Sequence, residues 1–130
     1  MNERPNPAWG DEKLVEYIRH WAIERWKCGL DGFAADRINR KHLFPCQTIL
    51  QERGPHALAK LLPLLHDDNR DVQLTAASFA YDADRPACQK ALLNLLQTLD
   101  LVGLTAWLVL SDKEGPDAVP DPATIGRKSS

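Results

Sequence analysis

Apolar residues recur along this chain at spacings of three and four, in blocks separated by very short turns. No stretch alternates apolar and polar residues long enough for a half-buried strand, and no Asn-Gly type of turn lies between β-branched runs. The pattern therefore specifies an all-α protein. Short connections force consecutive helices to turn back on their neighbours, so the expectation is a series of antiparallel helical hairpins. With 130 residues there is room for one core only.

The first ten residues, with Pro5, Pro7 and Gly10, read as a flexible arm. Asp11 stands where an N-cap would, and Leu14, Ile18, Trp21, Ala22 and Trp26 follow at helical spacing, predicting a helix to about Lys27. After Gly29 to Gly32 comes a second stripe of Ile38, His42, Cys46, Ile49 and Leu50, with Pro45 predicting a kink or short break. Pro55 opens a third helix with Leu58, Leu61, Leu62 and Leu65 on its core face, and Pro63 implies a bend. Asn69 or Asp71 can cap a fourth helix bearing Val72, Ala76, Phe79 and Ala80. Pro86 starts a fifth, lined by Cys88, Ala91, Leu92, Leu95, Leu96 and Leu99. A sixth covers Leu101 to Leu110, weakened by Gly103. The expected organisation is an arm over residues 1–10, a helical domain over 11–110 and an irregular tail over 111–130.

From Leu61 the chain reads Leu-Leu-Pro-Leu-Leu-His-Asp-Asp-Asn-Arg-Asp-Val-Gln-Leu-Thr-Ala-Ala. This resembles one unit of a HEAT repeat, in which a leucine-rich helix ends in an Asp/Asn turn and the next helix carries Val and paired alanines. Ala76 and Ala77 would let two helices approach closely, and Val72 would wedge into the adjoining pair. Gln73 stands where the family often has Arg, which puts the usual inter-repeat charge ladder in doubt. Together with Leu14-Val15-Glu16, Asn39-Arg40, Gly54 and Pro86, the order is similar to a small bacterial family of HEAT-like domains, the domain of unknown function twenty-nineteen. The resemblance implies an α-solenoid of about three hairpins. By analogy with small bacterial solenoids that act as immunity proteins beside secreted toxins, it also implies a role in binding another protein.

No catalytic constellation is visible. His42 and Cys46, four apart, share a helix face, but a zinc site needs further ligands and no second pair has ligand spacing. A half-buried histidine and a structural cysteine are the expectation, with no metal or cofactor. Carboxylate pairs (Asp67 with Asp68, Asp82 with Asp84) sit in turns as caps would. Cys28, Cys46 and Cys88 are an odd number without CxxC spacing, which fits a reducing compartment. The N-terminal stretch lacks an apolar h-region and no segment is long enough to span a bilayer, so the expected location is cytoplasmic.

Sixteen Lys+Arg against eighteen Asp+Glu give a charge of -2. The charge is unevenly spread, ten basic against eight acidic over residues 1–65 and six against ten over 66–130. Arg37, Arg40 and Lys41 form a basic patch, whose alternative reading is nucleic-acid binding. In HEAT-like arrays the second helix of each hairpin lines the concave face, which would place Arg40, Gln47, Asp71, Thr75, Ser78 and Asp82 in one polar groove. Such a groove suits a protein partner selected by charge. The expectation is a non-enzymatic binding module, most concretely an immunity or antitoxin-like protein whose acidic residues meet a toxin's basic ones. A regulatory scaffold and a nucleic-acid binder are the alternatives, and the oligomeric state stays open. Of the four tryptophans, Trp21 is expected in the core and Trp107 closing the array, while Trp9 and Trp26 could be core residues or exposed anchors.

Overall fold

The computed structural model describes residues 3–98, 100–115 and 117. Helix α1 spans Asp11–Lys27, α2 Gly32–Ile38, α3 Phe44–Arg53, α4 Pro55–Leu58, α5 Arg70–Phe79, α6 Arg85–Leu95 and α7 Leu101–Glu114. A π-helical turn, Asn39–Leu43, joins α2 to α3, and a 3₁₀ helix, Ala59–His66, continues α4. Among the described residues there is no strand, and no helix is long and apolar enough to cross a membrane.

Four helix starts carry a side-chain cap. The side chains of Asp31, Asn69, Asp84 and Asp100 accept from backbone amides of α2, α5, α6 and α7 respectively, satisfying donors that a helix end leaves unpaired. α1 departs from this pattern. Its cap is Gly10, and Asp11 instead sits in the first turn, where it pairs with Arg53 at 2.6 Å and Lys60 at 3.5 Å. Both prolines expected to bend the chain do so by changing the winding. Pro45 cannot donate and its ring would crowd the carbonyl four residues back, and the turn before it widens until Phe44 donates to Asn39, five residues earlier. Pro63 lies inside the 3₁₀ helix, which replaces the regular helix expected there.

α5 stands at the centre, packed against α1, the 3₁₀ helix, α6 and α7. Ala76 and Ala77 on it, and Ala80 at its C-cap, are fully buried, so neighbouring backbones come in close. Around it the core joins Leu14, Ile18, Leu43, Leu50, Leu61, Leu92 and Leu110, most of them on the expected stripes. Gln73 closes the preceding turn by donating to the Asp67 carbonyl.

Two expected boundaries move. The final helix continues past Leu110 to Glu114, because Arg85 holds the Glu114 carboxylate with two hydrogen bonds of 2.7 and 2.6 Å. Gly115, at φ 90°, then ends it. Residues 116 and 118–130 of the expected tail lie outside the described residues, as does Leu99. At the other end, residues 3–10 are not a free arm. Arg53 donates to the carbonyls of Pro7 and Trp9, and Trp9 packs on Tyr17 with ring centroids 5.2 Å apart.

Gly103 is the other surprise. A side-chain methyl there would overlap the Thr98 carbonyl oxygen and lie 3.1 Å from that of Leu95, so the glycine permits close approach and is not merely a weak helix former. Helix propensity alone says that Gly103→Ala stabilises. The packing reverses the sign, and the variant is expected to lose about 1–3 kcal/mol in urea unfolding.

Candidate docking face and the buried polar clusters

The six residues expected to line one polar groove do not form one. Arg40 is exposed and ion-paired with Asp36, one helical turn back, at 2.7 Å. Gln47 and Ser78 are half-buried and Asp82 is exposed. Asp71 and Thr75 are buried and point into the fold, where they are held by Arg25 of α1. The guanidinium grips the Asp71 carboxylate through Nε at 3.0 Å and Nη2 at 2.5 Å, and reaches Asn39 Oδ1 through Nη1 at 2.6 Å. Nη2 also donates to the Thr75 hydroxyl, which itself donates to the Asp71 carbonyl at 2.8 Å. A planar fork meeting a carboxylate edge-on gives two parallel charge-assisted bonds, and the remaining donors find Asn39 and Thr75. Three segments distant in sequence are thereby tied together.

Other carboxylates of the second half are engaged in the same way. Asp67 pairs with Arg19, Asp84 caps α6, Asp100 caps α7 and pairs with Arg70, and Glu114 pairs with Arg85. Counting charges along the sequence cannot separate a carboxylate that caps a helix from one offered to a partner. The signal that could have marked Asp71 as internal is its position beside the cap, with Thr75 one turn on and small residues after it.

His42 and Cys46 share a face as expected, and both are buried. The His42 ring stacks on Trp21 with centroids 3.6 Å apart and planes within 3°. Its Nδ1 lies 2.5 Å from the Tyr17 hydroxyl, which also contacts the Glu3 carbonyl. A carbonyl only accepts, so the single phenolic proton goes to Glu3 and the Tyr17 oxygen accepts from Nδ1–H of a neutral His42. Burial holds the imidazole below its ordinary 6.5, with Lys41, His20 and Arg4 adding repulsion. Burial likewise pushes the Cys46 thiol up to about 12, far from the thiolate that a nucleophile or metal ligand requires. Among the described residues no three His, Cys, Asp or Glu side chains are grouped to hold a metal ion.

Beside the Arg25 cluster opens a crevice of about 190 Å³, lined by Trp26, Gly29 and Ala35 on one side and Leu101, Val102 and Thr105 on the other. Of the six expected groove residues, Asp71 alone lines it. Its rim is apolar and exposed: Trp26 is 45% and Leu101 55% accessible, and the stripe continues along α7 with Leu104 and Leu108 at 41% and 60%. Trp9 and Trp107, by contrast, pack against the core. In the sequence α7 reads as an apolar helix weakened by Gly103, and the exposure of Leu101, Leu104 and Leu108 emerges only from the packing.

Compared with known proteins, the chain matches no family model, no curated protein and no solved structure.

Two measurements check this account. Asp71→Ala leaves a largely buried guanidinium without its carboxylate and is expected to cost about 3 kcal/mol, whereas the paired change Arg25→Met with Asp71→Leu should recover much of that loss. The His42 shift has a defined sign. A group protonated more readily when unfolded contributes stability that is complete above 6.5 and is lost as pH falls through the depressed folded value. The melting temperature should therefore drop between about pH 7 and pH 5, and His42→Gln should flatten that slope. Asp11 and Asp67, whose carboxyls lie below 3.8, act only at lower pH.

Proposed function

We propose that this chain is a non-enzymatic protein-binding module built as a short HEAT-like solenoid. Its three hairpins would be α1 with α2–α3, α4 and the 3₁₀ helix with α5, and α6 with α7. What supports the solenoid reading is the layering around α5, with α1 and the 3₁₀ helix packed on it from one side of the sequence and α6 and α7 from the other. Stacked repeats bury their apolar faces against the next repeat, and on α7 the leucines Leu101, Leu104 and Leu108 stay exposed among the described residues.

The observation that carries the binding reading is the exposed stripe Leu101, Leu104 and Leu108 with Trp26 across the crevice. Leucines three and four apart on one helix face, beside a tryptophan, are the arrangement into which an apolar helix or loop of another protein docks. The occupant is a hetero-partner that buries this stripe. In the most concrete version the chain is an immunity-type protein and the partner a bacterial toxin. That version rests on the sequence resemblance, and its contact would be mainly apolar, since Asp71, central to the charge pairing expected, is engaged within the fold.

The test is to isolate the stoichiometric complex from the source cells, identify the partner and reconstitute it with purified chain. Leu104→Glu with Leu108→Glu should abolish association while leaving the melting temperature within about 2 °C, as expected of surface changes. Unaltered binding by that variant rules out this face. A wild-type homodimer that the same substitutions dissolve would show that the face meets a second copy and overturn the hetero-partner reading. For the toxin version, the chain must suppress the partner's activity at equimolar concentration.

A further inference from the structure

The arm and the π-helical turn meet at a second, chemically opposite place. Arg4 and Pro5 from the arm, Arg37 from the end of α2, Arg40 and Lys41 from the π-helical turn, and Pro45 from α3 line a single open pocket of about 400 Å³. Four cations surround it. Among the described residues Arg40 alone is ion-paired, to an exposed Asp36, while Arg4, Arg37 and Lys41 have no salt bridge. Arg37 and Lys41 are four residues apart and Arg40 three from Arg37, so the helical side of the pocket is one contiguous basic face. Arg4 approaches from a different segment.

Charge attraction does not explain that approach, because like charges repel. The arm is placed by other bonds: the Tyr17 hydroxyl to the Glu3 carbonyl next to Arg4, Arg53 to the carbonyls of Pro7 and Trp9, and the Trp9 ring on Tyr17. Two prolines stiffen the walls, and the widened turn, a feature that recurs at functional sites, sets Arg40 and Lys41 beside Arg37. The fold thus converges cations that its own stability would keep apart. Both Arg4 and Lys41 also bear on the neighbouring His42.

We propose that this pocket binds a compact ligand bearing two or more adjacent phosphate groups. Guanidinium forks present paired donors matched to phosphate oxygens, and Lys41 adds a mobile point charge. Clustered phosphates neutralise several cations at once in a space too small for a folded partner. This inference is independent of the docking face on α7.

Inorganic tripolyphosphate, titrated calorimetrically into the intact chain at low salt, is the probe. Binding at one site per chain is expected, weakened about fivefold or more by each of Arg4→Gln, Arg37→Gln and Lys41→Gln, and unchanged by Lys90→Gln on α6. Arg4→Gln is the decisive variant, since the fold keeps the helical cations without it. If tripolyphosphate does not bind, or binds equally well after Arg4→Gln, the pocket proposal fails. A second arm uses a single-stranded 12-nucleotide DNA. Binding of that polymer without binding of tripolyphosphate would likewise overturn the proposal, because it would mean an open basic surface that follows a phosphodiester backbone.

Discussion

Arg25 sits where three segments must agree. Its guanidinium reaches the Asp71 carboxylate and the Thr75 hydroxyl on α5, and Asn39 at the start of the π-helical turn. A largely buried cation is tolerable only when its donors are matched, and here a carboxylate, an amide oxygen and a hydroxyl do so. The leucine-rich core supplies burial without direction, since apolar contacts accept many arrangements. The polar cluster adds direction: α1, the π-helical turn and α5 can share it in one relative placement.

Much of the helical framework was legible because helical period and turn chemistry are local. α1 ends at Lys27 as its stripe implied, Asn69 caps α5, and the two alanines of α5 are buried at the tightest packing. What escaped were effects that depend on what lies opposite in space. Gly103 read as a weakness because propensity is a property of one helix, whereas its value comes from the carbonyls of Leu95 and Thr98. α7 read as ending at Leu110 because the partner that fixes Glu114 is Arg85, twenty-nine residues away.

The site residues show the same division. The basic trio Arg37, Arg40 and Lys41 was visible as a sequence cluster, and the structure adds Arg4 from the arm. The supposed polar groove failed because assigning faces by analogy with a repeat ignored which side chains the fold consumes. The sequence pattern marks Asp71 and Thr75 as polar residues of α5 but does not reveal that they face inward to Arg25. Of the apolar rim of the crevice, Trp26 is legible in the sequence as a candidate anchor, but the leucines of α7 are not: an exposed leucine and a buried one look alike until what packs against each is known.

The widened turn before Pro45 carries a consequence for how this surface can change over time. One surplus residue per turn offsets everything upstream from everything downstream by roughly 100° relative to a regular helix. The buried run from His42 to Leu50 and the cationic run from Arg37 to Lys41 are consequently set in phase by a single backbone irregularity. Loss of one residue there would leave composition and charge almost untouched yet rotate one run against the other, so this short stretch tolerates substitution far better than it tolerates a change of length.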